Sequence, residues 1–183
     1  MKATDILVEE HTVIERVLDA LEHAVQSLEE GGSVEPDFFI GVTDFVKGFA
    51  DGCHHKKEED VLFRAMAANG VPVENGPIGA MLVEHEQGRV YTRELREAAQ
   101  RLQAGDEAAR DDIIRNGRSY VALLRQHIAK ENGVLFPMAD QAIPRAEHDI
   151  VTVGFDQVEH EETGPGVHEK YLSLADELEK QVT

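Results

Sequence analysis

Two stretches of the chain repeat the same residue types at the same spacing. His54-His55-Lys56-Lys57-Glu58 runs on to Leu62-Phe63, and His127-Ile128-Ala129-Lys130-Glu131 runs on to Leu135-Phe136. Both read H-x3-E-x3-L-F. Residues four apart lie one above the other on a helix, so each stretch can aim an imidazole and a carboxylate into one space. His11, between Leu7 and Ile14, and His85, shortly after Leu82, add two more imidazoles on apolar stripes. Together His11, His54, Glu58, His85, His127 and Glu131 make a mixed nitrogen and oxygen shell. Such a shell suits iron, and also manganese or zinc. Two glutamates can bridge a pair of ions about 3.5–4 Å apart. The histidines then fill terminal positions, leaving room for an oxo or hydroxo bridge and an open position for oxygen or peroxide.

The repeat also selects a register. His55 and Glu59 share the four-residue spacing but sit about 100° further around an α-helix, and they miss the Leu-Phe offset. His54 and Glu58 are therefore the expected ligands, with His55 and Glu59 more exposed. A one-residue shift is the competing register. Taken singly, each His-Glu pair resembles an ordinary surface i,i+4 pair, and His11 or His85 an ordinary helical histidine. Convergence on inward stripes of successive helices favours metal, because buried ionisable groups need compensation.

Other groups have quieter expected roles. Cys53 reads as a small buried residue, and His23 as a surface residue. Arg89, four after His85, is expected to pair with Glu58, Glu131 or another helix acid. Tyr91 and Tyr120 are candidates to hydrogen-bond the ligands. In the tail, Glu162 and His168 are the residues to check for reach into the site. No G-x-S-x-G is present, His85-Glu86-Gln87-Gly88 is not followed by the second histidine of H-E-x-x-H, and the pairs are not the E-x-x-H of ferritin-like centres.

The elements that must position these residues read as helices. Leu7, Ile14, Leu18, Leu21, Val25 and Leu28 form one helical stripe, capped near Thr4 or Asp5 and stopped at Gly31-Gly32. A second helix is expected from Pro36 to about Asn69, crossing Gly41, Gly48 and Gly52. A third runs from about Pro77 to Ala104, and a fourth from about Asp106 to Pro137. Short loops between four amphipathic helices predict an all-α, antiparallel up-down-up-down four-helix bundle over residues 1–140. Residues 141–183 are expected to form a helical extension packed on it, with Ile150, Val153 and Val158 inward over 144–160, a Gly-Pro-Gly turn at 164–166, and a last helix.

Composition bounds the rest. The chain has 183 residues, 36 acids against 18 lysines and arginines, and a net charge of -18. That field opposes nucleic acid and anionic membranes. With one cysteine, an internal disulfide or an all-thiolate metal site is excluded. No signal peptide or membrane-spanning stretch is apparent, so a cytoplasmic location is expected.

His11, His54-x3-Glu58, the isolated His85 and His127-x3-Glu131, within HHKKEEDVLF, VEHEQGR and HIAKENGVLFP, resemble the hemerythrin-like, or HHE cation-binding, family over about residues 5–140. FDQVEHEETGPGVHEKY resembles an extension of longer bacterial members. The resemblance implies a non-haem di-iron centre held by the six residues, with Glu58 and Glu131 bridging. Position 89 is arginine, so the resemblance implies four histidines and two glutamates, unlike the five-histidine oxygen carriers of the superfamily. It further implies binding of oxygen, peroxide or nitric oxide for sensing or stress response, with a separate protein partner if the role is sensing. Enzymatic removal of peroxide or nitric oxide is one alternative, and an interaction module with incidental metal is another.

Overall fold

A computed structural model describes residues 2–160 and 166–182. Among these residues every regular element is helical: α1 Ala3–Glu29, α2 Pro36–Phe45, α3 Phe63–Ala68, α4 Pro77–Gln103, α5 Ala109–Lys130, α6 Phe136–Ala142, α7 His148–Val158 and α8 Val167–Val182. Between α2 and α3 the rod continues through two π-helical segments, Val46–His55 and Glu58–Leu62, and between α5 and α6 through a third, Glu131–Leu135. Helices α1, α2–α3, α4 and α5–α6 are thus four long rods. Their cross-links fix the directions. Arg118 reaches Glu29 while Arg125 reaches Asp19 and Glu22, so α5 runs antiparallel to α1. Gln103 reaches Asp37 and Arg96 reaches Asp44, so α4 runs antiparallel to α2. The up-down-up-down bundle follows.

Two apolar layers fill the interior. One gathers Ile14, Leu21, Phe39, Phe45, Phe49, Leu95, Ile113, Tyr120 and Leu124. The other gathers Leu7, Leu62, Phe63, Met66, Ile78, Met81, Leu135 and Phe136. On each rod the site residues fall between the layers: His11 between Leu7 and Ile14, and His54, His55 and Glu58 between Ala50 and Leu62. A polar slab is therefore sealed above and below by hydrocarbon.

The last two helices lie against the α1–α2 side. Arg16 on α1 holds Asp176 and Glu179 on α8, and Ala175 and Leu178 join the first apolar layer. Gly48 makes room for Tyr171, since a Cβ there would collide with its hydroxyl. Gly154 on α7 lets Val61 approach; an added Cβ would meet Val61 Cγ1 at 2.7 Å.

Several expectations change. The helix α7 turns Val151, Phe155 and Val158 inward, at three- and four-residue spacing, leaving Ile150 69% and Val153 55% exposed. The first-helix cap is Lys2, whose backbone N–H donates to Asp5. The fourth rod does not stop at Pro137 but continues through Ala142. The π segment ends at Leu135, so Pro137 falls in the first turn of α6, where a missing N–H costs least. Val134 lies on the outer side of that π segment, 56% exposed. Glu162 lies outside the described residues.

Candidate metal centre

The slab contains two groups of side chains whose ligand atoms converge. His11, His54, Glu58 and Glu131 form one, and His55, Glu58, His85 and His127 the other, each with ligand atoms within 4.8 Å of one another and every residue buried. The Nε2 atoms of His11 and His54 are 2.9 Å apart, and those of His85 and His127 3.1 Å apart. Glu58 turns Oε1 toward His54 (3.5 Å) and Oε2 toward His85 (3.4 Å). Glu131 turns Oε2 toward His11 (3.2 Å) and Oε1 toward His127 (3.1 Å). Each carboxylate thus faces one oxygen to each group, which is the arrangement of a bridge.

The five rings are fixed from behind. His11 Nδ1–H donates to Asn132 Oδ1 (2.9 Å), His54 to Glu10 (2.8 Å), His55 to Asp51 (2.9 Å), His85 to Glu59 (2.7 Å) and His127 to Glu84 (2.9 Å). Carboxylate and amide oxygens only accept here, so the proton sits on Nδ1 and the Nε2 lone pair faces inward. All six expected residues are brought together, and so is His55. It is 4% exposed and stacks on the His85 ring at 3.9 Å, correcting the expectation that it faces out. The slab thus gathers five buried histidines.

The π segments explain the correction. Hydrogen bonds from i to i+5 widen the turn, so the angular step per residue falls below that of an α-helix. Consecutive side chains then fit one inward arc. His54 and His55 enter opposite groups, Glu58 lies inside while Glu59 holds His85, and Glu131 lies inside while Asn132 holds His11. Gly52 permits the widened turn: a Cβ there would sit 2.9 Å from the Lys47 carbonyl oxygen, five residues back. Asp51, four before His55, is the sequence signal that marks the extra histidine.

Charge in the slab calls for a cation. Burial, reinforced by Glu131, pushes Glu58 well above the usual carboxylate range. Burial also acts on Glu131, but His11 and His127 outweigh it and hold Glu131 low. Burial pushes His54 down to about 4 and His55 well below its usual value. His11 and His127 are held above theirs because Glu131 outweighs burial. All four oxygens of Glu58 and Glu131 are buried without a hydrogen-bonding partner among the described residues. Unpaired buried acceptors are costly; two dications beside five inward lone pairs would satisfy them. The residues therefore fit a metal pair, and the two groups are positioned to chelate one.

The outer shell reaches the tail. Buried Lys57 pairs with Glu10 and, at 2.7 Å, with Glu159. His168 sits 3.7 Å from Glu159 and groups with Glu10 and Glu159, so it approaches the residue behind His54 without joining the central seven. Arg89 pairs with the helix acids Glu59, Glu86 and Asp51 and not with Glu58 or Glu131. Cys53 is buried, which raises its thiol pKa to about 11 and makes it a poor nucleophile.

The family model described as Hemerythrin HHE cation binding domain matches residues 2–139. The chain is 22% identical over 180 residues to the "Uncharacterized protein Mb2018" of Mycobacterium bovis and to the "Uncharacterized protein Rv1995" of Mycobacterium tuberculosis, covering 98% of this chain and 70% of each relative. No solved structure matches significantly. No helix among the described residues is long and apolar enough to cross a membrane.

Proposed function

Because the chain belongs to the hemerythrin HHE cation-binding domain family, we propose that it holds two iron ions and uses them to bind oxygen, peroxide or nitric oxide in sensing or stress response. His11, His54, Glu58, His85, His127 and Glu131 are the ligands, and His55 is a seventh. The observation that carries this reading is the pair of partnerless carboxylates, each facing one oxygen to each histidine group. When bound, an iron pair supplies two one-electron redox centres and a position for a small ligand. The chain's own residues fix the five imidazoles through Nδ1, exclude bulk water with two apolar layers, and balance the charge with Glu58 and Glu131.

In this proposal residues 1–140 are the metal-binding unit, 141–183 brace it, and the protein works in the cytoplasm. Protein purified without oxygen and loaded with ferrous iron should hold about two iron ions per chain and gain oxo-bridged iron absorption on exposure to air. One iron or none, with no such absorption, contradicts the reading. Steady consumption of peroxide or nitric oxide that disappears in Glu58→Ala would make the protein an enzyme; binding without turnover would make it a sensor or carrier.

A further inference from the structure

Carboxylates hold four of the five histidine rings from behind, and each carboxylate has a cation on its far side. Arg89 pairs with Asp51 and Glu59, Lys130 with Glu84, and Lys57 with Glu10. The three cations differ in burial. Arg89 is 32% exposed and Lys130 45%, whereas Lys57 is 1% exposed. Solvent screens the first two, so the charge of Lys57 is the one that acts with least screening on what it touches.

Lys57 lies between the two π segments of its rod, next to Glu58. It is also the cation that reaches the C-terminal extension. Glu159, immediately after α7, pairs with it at 2.7 Å. Glu10, Glu159 and His168 bring ligand atoms within 4.8 Å of one another, and the cation joining Glu10 to Glu159 is this ammonium. Burial works against its charge, but Glu10 outweighs burial and holds the Lys57 pKa above the usual lysine value. A continuous run of polar contacts therefore leads from the extension to a ligand ring: Glu159 to Lys57, Lys57 to Glu10, and Glu10 to His54 Nδ1.

The run ends on the side of the slab with fewer donors. His11 and His54 stand there with one oxygen each from Glu58 and Glu131; the other two oxygens face a side that has His55, His85 and His127. Where donors are fewer, each one weighs more in the field on the ion. A carboxylate pulling on Nδ1–H makes Nε2 the stronger donor, which favours ferric over ferrous iron. The Lys57 ammonium draws charge from Glu10 and weakens that pull. Glu159 draws on the ammonium from the other side and restores it.

We propose that the C-terminal extension sets the ferric–ferrous balance on the His11 and His54 side of the centre, acting through Glu159, Lys57 and Glu10, with Glu159 and Lys57 as positioning residues. The proposal rests on the two-metal reading and gives the extension a role beyond bracing. No bond forms or breaks along the run; its hydrogen bonds polarise one another.

The test is a redox titration of the iron-loaded full chain, followed by iron absorption, with wild type and Glu159→Gln compared. The variant keeps an acceptor for Lys57 and drops the charge. Its potential is expected to rise, with the balance moving at least about three-fold toward ferrous iron, short of the 10- to 100-fold scale of a group bonded directly to a ligand. A fall in potential, or none, overturns the proposal. So does a lower melting temperature with unchanged potential, which leaves Glu159 a brace. The same substitution made on Lys57→Met is expected to shift the potential less than half as far; an equal shift there overturns the route through Lys57. Glu159 is 34% exposed, so the first comparison stands even where the buried Lys57→Met does not fold. Iron content of the wild type reports on the two-metal reading separately: fewer than two ions per chain contradicts that reading, while two ions with an unmoved potential contradict the proposal alone.

Discussion

A histidine ligates through one ring nitrogen and is held through the other, and here five rings are held through Nδ1 by Asn132, Glu10, Asp51, Glu59 and Glu84. The proposed ligands can be separated from their supports by mutation. His55→Ala should lower bound iron from about two to about one per chain while leaving the helical circular dichroism intact; two retained ions would remove His55 from the shell. Glu59→Gln keeps an acceptor for His85 but drops the charge, and should weaken metal affinity about 10- to 100-fold, read by chelator competition. Acidity gives a second test on the metal-free protein. The folded-state pKa of His54 is about 4 against 6.5 unfolded, and His55 is shifted the same way. The unfolded chain therefore takes up their protons first, and stability falls as pH drops from 6.5 toward 4. His11 and His127 are shifted upward, so the stability they add is present below 6.5 and lost as pH rises above it. Glu58 and Asp51, also shifted upward, oppose the first trend, so the lower window sets two histidines against two carboxylates. Above pH 6.5 the loss of the His11 and His127 contributions is the trend that remains, so urea midpoints should fall from pH 6.5 to 8. A monotonic rise to pH 8 would contradict these assignments.

At the scale of the element, the departures from a plain α-helix do the positioning. A π turn lets neighbours in sequence share one inward arc, and the site uses that at His54-His55, at Glu58-Glu59 and at Glu131-Asn132. Deleting Gly52 should restore α-helical phase in this rod. The helical content should survive, but His54 and His55 would no longer face opposite groups, and bound iron should fall below one per chain. Two bound ions in the deletion variant would show that the widened turn is dispensable. The milder Gly52→Ala crowds the Lys47 carbonyl and should cost about 1–3 kcal/mol by urea unfolding. The same feature separates what could be read in the sequence from what could not. The four rods and six of the seven converging residues follow from 3.6-residue periodicity and the H-x3-E repeat. His55 does not, because that periodicity turns it outward. The inward face of α7 departs from expectation only in part: Val158 is inward as expected, but Ile150 and Val153, with the hydropathy of core residues, face out, and packing against Val61 through Gly154 selects Val151 and Phe155 instead.

On the scale of the whole molecule, α7 and α8 cover a side of the bundle and contribute none of the seven converging residues. Among the described residues the tail reaches the centre through outer groups: Glu159 pairs with Lys57, which pairs with Glu10 behind His54. Its main anchor is apolar. Leu178 is 1% exposed and joins Ala175 in the layer built by α1, α2, α4 and α5. Leu178→Ala should therefore cost about 2–5 kcal/mol in thermal or urea unfolding and leave iron content unchanged. Loss of iron with unchanged stability would mean that the extension shapes the centre itself. The exposed ion pairs that fasten α8, such as Arg16 with Asp176 and Glu179, should contribute little by comparison and weaken with salt.

The most direct measurement is a crystal structure of the iron-loaded protein with anomalous scattering recorded at the iron edge. Two peaks about 3.5–4 Å apart are predicted. One should lie against Nε2 of His11 and His54, the other against Nε2 of His55, His85 and His127, with Glu58 and Glu131 spanning both. A single peak, or a pair with His55 turned away from it, would contradict a seven-residue two-metal centre.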